Sequence, residues 1–355
     1  MSDTILVTGG AGFVGSSLAL RLKAARADTR VVALDNLHRR GSELALPRLK
    51  TGGVEFVHGD VRSPGDLASV GPFSLLLDCA AEPSVLAGLQ GGGDYVVQTN
   101  LLGTYHSLEA AARHGADVLF LSTSRVYPIA PLCELALRET DSRFELADEQ
   151  PFAGASAHGI AEDFPLHGAR SLYGTTKLAS ELLVEEYRAA HGLRAVIDRC
   201  GVLAGPWQMG KVDQGFVVLW VAKHLYGGRL DYIGHGGRGQ QVRDVLHVDD
   251  LADLVELQLG RLDELDGRVL NVGGGRDVSV SLRELTDLCV AATGETIEIG
   301  AVAEDRPQDV PLYLSDCRAL EAATGWRPRR DAATLVEDVT RWIREHRDEL
   351  APILG

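Results

Sequence analysis

Short apolar runs recur along the first part of the chain: Thr4–Thr8, Val31–Leu34, Val54–Val57, Leu75–Asp78, Val118–Ser122 and Ala195–Asp198. Helix-like patterns separate them. A strand that is apolar at every position, instead of every second one, is buried on both faces, and helical crossovers join parallel neighbours. The pattern therefore predicts an α/β fold with a doubly wound parallel sheet covered by helices on both sides. Between Tyr127 and Tyr173 periodicity fades in a stretch rich in Pro, Gly, Ala and acidic residues, and 128–170 reads as a long loop or lid, since ordinary connections are much shorter. From Gly201 onward the elements shorten around Gly227, Gly228, Gly234, Gly236, Gly237 and Gly239, and an amphipathic helix follows at about 332–347. We assign 1–199 and 240–273 to the sheet domain, and 200–239 with 274–355 to a smaller, C-terminal region.

The first strand runs straight into Thr8-Gly9-Gly10-Ala11-Gly12-Phe13-Val14-Gly15 and then into a helical run, Ser16 to Ala25. In the order strand, glycine turn, helix, each glycine has a task. Gly9 permits the tight turn, Gly12 lets backbone approach a pyrophosphate, and Gly15 lets helix and strand pack closely, with the helix N-terminus facing the anion. Asp35 ends the next strand twenty residues after Gly15, where a carboxylate accepts hydrogen bonds from ribose hydroxyls. This makes the first domain Rossmann-type and NAD the expected cofactor, with Phe13, Val14 and Asn36 beside it. His38, Arg39 and Arg40 can in principle hold a 2′-phosphate, which keeps NADP open. Asp60 and Val61 follow the third strand; Asp60 either contacts the adenine edge or caps a turn. Ala80, Ala81 and Asn100 sit where later strand ends and a helix border the cofactor.

Tyr173 and Lys177 are spaced i, i+4 in a helical sequence, so they share a face. A neighbouring ammonium and a positive nicotinamide ring both favour phenolate, which lets a tyrosine take a hydroxyl proton at neutral pH. Ser122-Thr123-Ser124 follows an apolar strand at its carboxyl end, where open α/β sheets place reactive groups. A hydroxyl there can share the substrate proton; a turn of small hydroxyl residues is the alternative reading.

These three motifs in this order resemble the extended short-chain dehydrogenase/reductase family, over essentially the whole chain. The resemblance implies Gly9, Gly12 and Gly15 as its glycine motif, Thr123, Tyr173 and Lys177 as its catalytic residues, Ser122 beside the cofactor, and NAD that oxidises a sugar carbon. Within that family, Gly239-Gln240-Gln241-Val242-Arg243-Asp244-Val245-Leu246-His247, Asp213-Gln214-Gly215, Asp35-Asn36-Leu37 with Arg40-Gly41, and the long insertion before Tyr173 are similar to the CDP-tyvelose (CDP-paratose) 2-epimerase group. That similarity implies a nucleotide-diphosphate sugar as substrate, a CDP-sugar in first place. Gln214, Gly215, Ser124 and Arg125 are then expected in the C-terminal substrate-binding region or beside the sugar, and Arg243 and Arg306 on the diphosphate. Sugar 4,6-dehydratases of the family carry an Asp-Glu pair directly after the catalytic threonine; here Ser124 and Arg125 stand there, which removes the acid and base that elimination needs and leaves epimerisation. Trp207 and Met209, in Pro206-Trp207-Gln208-Met209, depart from the expected pocket residues, with core packing as their alternative. Inversion at C4, a net dehydrogenase or reductase, and a non-catalytic NAD-binding sensor remain as other readings.

Composition narrows the partners. A formal charge of −15 and a pI near 5.2 disfavour nucleic acid. No apolar stretch approaches the roughly 20 residues of a membrane span, and no signal-peptide pattern opens the chain. Five widely spaced cysteines without a C-x-x-C pair read as reduced thiols, so we expect a cytoplasmic protein. The eleven histidines lack metal-ligand spacing and no H-E-x-x-H occurs, so no metal is expected; Gly154–His158 lacks the final glycine of a nucleophile elbow. Asp249 and Asp250 read as helix caps, and His247 as a core or nucleotide-contacting residue. The family resemblance also implies a homodimer through helices flanking the sheet, including the one that bears Tyr173.

Overall fold

A computed structural model describes residues 3–89, 91–211 and 214–355. The apolar runs form six strands of one parallel sheet: β1 (Thr4–Thr8), β2 (Arg30–Asp35), β3 (Glu55–His58), β4 (Leu75–Asp78), β5 (Asp117–Thr123) and β6 (Ala195–Cys200). A seventh, β7 (Val269–Val272), completes the order β7-β6-β5-β4-β1-β2-β3. Leu6 pairs with Val32 on one side and Leu76 on the other, both in parallel register. The chain starts at β1, winds out to β3, then crosses back to β4. The strand order thus reverses between β1 and β4, the switch point at which α/β sheets open a crevice beyond their carboxyl ends.

Three helices pack around that crevice and the strands that border it: α1 (Phe13–Ala25), α2 (Gly103–His114) and α3 (Leu172–His191). α1 starts three residues earlier than the sequence pattern, because Phe13 and Val14 already turn helically behind Gly12. Leu6, Val32, Leu34, Leu76, Val118, Phe120 and Ile197 of the sheet pack with Leu108, Ala111, Val184 and Tyr187 of α2 and α3 in one buried core.

The chain forms two compact units. The first comprises 1–126, 172–199 and 251–270; the second comprises 127–171, 200–250 and 271–355. Residues 240–250 and 271–273, grouped with the sheet domain by sequence, fall in the second unit. For 240–250 the reason is pairing: strand Val242–His247 hydrogen-bonds with Val202–Ala204, Ser279–Ser281 and Leu312–Tyr313, not with the seven-stranded sheet; Asn271, at the end of β7, is tied to Tyr127 and Ile160 of the second unit.

The stretch 128–170 is more structured than an open loop. It holds a short helix, Ile129–Cys133, and hairpins Leu137–Glu139/Phe144–Leu146 and Ala155–Ser156/Gly159–Ile160. Both hairpins are fastened within the second unit, Phe144 N–H to the Gln240 carbonyl at 2.9 Å and Ile160 N–H to that of Leu314 at 2.8 Å. The C-terminal amphipathic helix spans Ala332–Glu345, started by Asp331, whose carboxylate accepts the Thr334 N–H.

Candidate active site

The glycine turn lies at the switch point. Gly9 has φ +62°, and a Cβ there would come within 3.0 Å of the Ala80 and Cys79 backbone, so the ends of β1 and β4 meet across it. A Cβ on Gly15 would stand 2.2 Å from the Gly9 carbonyl oxygen. Only hydrogen fits in either place. No side chain caps α1, whose N-cap is Gly12 and whose first turn carries no acidic residue. A bare helix N-terminus reached through glycine is the surface a pyrophosphate requires. Asp35 closes the turn: it accepts the Ala11 N–H at 3.0 Å and the Leu37 N–H at 2.7 Å. Burial raises its pKa against the lowering effect of these hydrogen bonds. These residues fit a dinucleotide.

Around Asp35 the structure assembles a second layer. Asn36 Nδ2 donates to Asp60 at 2.9 Å, and Arg62 grips the same carboxylate through Nε and Nη2, which holds Asp60 well below the usual carboxylate range against the opposing effect of burial. The Arg62 guanidinium lies 4.9 Å from the centre of the Tyr95 ring, and His38 meets that ring at 4.5 Å. Asp60 therefore anchors this corner through Arg62 and Asn36. The Val61 carbonyl engages His106 at 3.1 Å. Neither Arg62 nor Tyr95 stood out in the sequence, since both are ordinary surface residue types.

Beside Ala80 and Ala81 a buried polar network sets the end of β4. Thr8 Oγ1 donates to Asp78 at 2.6 Å, Thr104 donates to the other oxygen at 3.1 Å, and the N–H groups of Cys79 and Ala80 point back to Thr8 Oγ1. Asn100 sits in a π-helical turn, Val97–Leu102, a form that recurs at functional sites. Its side chain accepts from the Glu82 N–H at 2.7 Å and donates to Thr176 of α3 at 3.1 Å, while its carbonyl accepts the Ser180 hydroxyl at 3.0 Å. Asn100 thus links the segment after β4 to the helix of Tyr173.

α3 explains that link. Its buried stripe begins with Tyr173, Thr176, Lys177, Ser180 and Glu181, and becomes apolar only at Val184. Polar side chains buried in series must be satisfied by partners, and they mark a helix face selected for more than packing. Tyr173 is 9% exposed and Lys177 2%. The Lys177 ammonium lies 3.8 Å from the centre of the Phe120 ring of β5, a cation–π contact that replaces part of its lost hydration. Thr123, at the end of β5, accepts the Arg125 N–H at 3.2 Å as Ser124–Val126 turns into a 3-10 helix. Its neighbour Ser122 donates to Glu181 of α3. The Ser122 hydroxyl serves the helix.

In the second unit Arg243 is oriented by three acceptors: Asp309 at 2.6 Å, the Val310 carbonyl at 2.7 Å and the carbonyl of its neighbour Val242 at 2.8 Å. Arg306 lies three residues before Asp309, whose N–H donates to the Arg306 carbonyl at 3.2 Å. Gln214 pairs with Lys211 in a backbone bridge, and Gly215, with φ +76°, starts helix Phe216–Tyr226. Asp213 lies outside the described residues. Trp207, half-buried, packs on Trp342 and His346, and Met209 is buried. His247 is buried, accepting the Asp249 N–H at 3.0 Å, and Asp250 receives Arg330 at 2.6 Å. Among the described residues no His, Cys, Asp and Glu group has metal-holding geometry, and no helix is long and apolar enough to cross a membrane.

Residues 5–273 match the model of the NAD dependent epimerase/dehydratase family. The chain belongs to this family. It is 28% identical to the CDP-paratose 2-epimerase of Salmonella typhi over 95% of this chain and 98% of that protein. It is 30% identical to a dTDP-glucose 4,6-dehydratase of Streptomyces antibioticus over 98% of this chain and 95% of that one. The structure of a UDP-glucose 4-epimerase of Thermus thermophilus in complex with NAD is similar at a TM-score of 0.76 and 27% identity, over 96% of this chain and 99% of that one. This family member is an NAD-dependent enzyme.

Proposed function

We propose that this epimerase/dehydratase family member is a nucleotide-sugar epimerase that oxidises one sugar carbon, C2 in first place, and returns hydride to the opposite face. The observation that carries this is the turn after β5. Where elimination needs a carboxylic acid and a base beside the catalytic threonine, Ser124 and Arg125 form a 3-10 turn whose backbone folds onto Thr123. Epimerisation by oxidation and reduction at one carbon needs only a base for the hydroxyl proton. The likeness to the Salmonella 2-epimerase supports C2 and a CDP-sugar; the fold shared with the 4-epimerase keeps C4 as the second reading.

Bound NAD supplies the hydride acceptor and, later in the same turnover, the donor. The chain does the rest. Tyr173, as phenolate, takes the sugar hydroxyl proton; Lys177, one turn along the helix, favours that phenolate. Thr123 hydrogen-bonds the same hydroxyl and orients it. Once the sugar ketone has turned over, Tyr173 returns the proton. Arg243 and Arg306 are assigned to the diphosphate, for which planar guanidinium groups offer paired donors. Ser124, Arg125, Gln214 and Gly215 are assigned to substrate. We place the protein in the cytoplasm as a homodimer: Leu102, Tyr105 and Leu182 are 43%, 39% and 60% exposed around α2 and α3, an apolar face that a second copy would cover.

The test is to incubate purified protein with CDP-, UDP-, GDP- and dTDP-sugars and to follow product stereochemistry by NMR together with the absorbance of reduced cofactor. Inversion at C2 without net reduction is expected. Loss of water from the sugar would refute the epimerase reading, and accumulation of NADH would replace it with a dehydrogenase.

A further inference from the structure

A buried charge pair lies further along the face that carries Tyr173, and the proposed proton and hydride transfers do not use it. Glu181 is 2% exposed and Arg199, on β6, 5%. Arg199 Nε lies 3.2 and 3.1 Å from the two carboxylate oxygens and Nη2 lies 2.8 Å from one of them. The Ser122 hydroxyl donates to the other. An apolar pair of similar volume is often as stable as a buried ion pair, or more so, which makes stability a weak reason for these charges. Their distinctive property is direction. A forked guanidinium on a carboxylate fixes angle as well as distance, whereas apolar contacts let a helix roll or slide slightly. Here three elements meet at one carboxylate: α3 through Glu181, β6 through Arg199, and β5 through the residue immediately before Thr123. Tyr173 and Lys177 lie on the same stripe, about 12 Å and about 6 Å back along the helix axis.

We propose that Glu181 and Arg199, joined by Ser122, are positioning residues that set the roll and register of α3 against β5, so that Tyr173 and Lys177 are presented at Thr123. This role rests on the reading of Tyr173 as the base, but not on which sugar is turned over. A misplacement of about 1 Å at a reacting group can cost roughly a hundredfold in rate, so a stable but unregistered helix would be a poor catalyst.

The test is the double variant Glu181→Leu/Arg199→Met, which exchanges an ion pair of zero net charge for an uncharged pair. The ionisable groups on the surrounding elements stay in place: Lys177 on α3, Asp198 on β6, Asp78 and Cys79 at the end of β4, Glu109 on α2 and Arg125 after β5. A changed titration therefore reports geometry and not added charge. Ionisation of Tyr173 is followed as the ultraviolet phenolate signal that a Tyr173→Phe version of the same protein lacks, without and with saturating NAD. NAD is expected to lower the wild-type midpoint. The double variant is expected to melt no lower than wild type, yet to show about half that lowering or less. With any sugar nucleotide that wild type epimerises, its kcat is expected to fall at least about tenfold while KM stays within about threefold. A stable double variant with the full lowering overturns the proposal, whether or not a substrate is known. An absent lowering in wild type refutes instead the assignment of the base. Should the double variant not fold, Ser122→Ala and Ser122→Thr make the same comparison: loss of the hydroxyl is expected to reduce the lowering and its retention to preserve it, and identical behaviour of the two overturns the proposal.

Discussion

Alanine at position 15 and alanine at position 12 should fail in different ways. At 15 the new Cβ would lie 2.2 Å from the Gly9 carbonyl oxygen and 2.8 Å from its carbon. Both obstacles are backbone, so α1 and the end of β1 must part by about 1 Å. Overpacking of this kind costs about 1–3 kcal/mol, and the better helix propensity of alanine offsets at most about 1 kcal/mol. The cofactor-free protein should therefore lose on the order of 1–2 kcal/mol. At 12 the Cβ would meet only that same oxygen, at 3.1 Å, and the backbone there, φ −68° and ψ 169°, suits any residue. As an N-cap, alanine is poorer than glycine, so stability should fall by no more than about 1 kcal/mol. The methyl group would, however, stand at the helix N-terminus where phosphate approaches. Loss of one backbone hydrogen bond to a charged oxygen is worth about 1.5–3 kcal/mol, or roughly 10- to 150-fold in Kd. Urea unfolding without cofactor and calorimetric titration with NAD measure the two effects separately. A Gly15→Ala protein as stable as wild type, or a Gly12→Ala protein with wild-type NAD affinity, would refute this reading of the turn.

Tyr173→Phe should retain NAD binding and lose about 10²–10⁴-fold in kcat; wild-type turnover in this variant would remove Tyr173 as the base. Burial pushes the Asp198 carboxyl, which accepts a hydrogen bond from Gln258 at 2.8 Å, up to about 7. Its proton is held in the folded state and released on unfolding, so this contribution to stability is complete at low pH and fades as pH rises through 7. Between pH 7.5 and 5.5 wild type should gain about 2 kcal/mol relative to Asp198→Asn; parallel urea midpoints for the two proteins would contradict this. Leu182→Glu should turn a dimer into a monomer in sedimentation analysis without changing the cofactor site, and an unchanged mass would show that this face is not the interface.

The sheet was largely legible because its strands are apolar at every position, and β1 to β6 fall on the runs read from the sequence. β7 escaped notice: Val269-Leu270-Asn271-Val272 is four residues long and contains an asparagine. Asn271 is buried because its side chain accepts the Tyr127 hydroxyl and donates to the Ile160 carbonyl, partners more than a hundred residues away. The elements within 128–170 are two to five residues long, shorter than any window in which periodicity can be counted. At the site, the glycines, Asp35, Thr123 and the Tyr173–Lys177 spacing were legible because each belongs to a local pattern. Asp78 and Glu181 were not. A glutamate in a helix with charged neighbours reads as solvated, and only the fold brings Arg199 and Ser122 onto it.

Epimerisation as proposed oxidises and reduces C2 in a single site. Its most direct test is a CDP-sugar carrying deuterium at C2, incubated with the enzyme in ordinary water and analysed by NMR and mass spectrometry. The expected product is inverted at C2, keeps its deuterium at that carbon and forms without net NADH. Inversion with loss of deuterium to solvent, or inversion at C4 with C2 untouched, would contradict it.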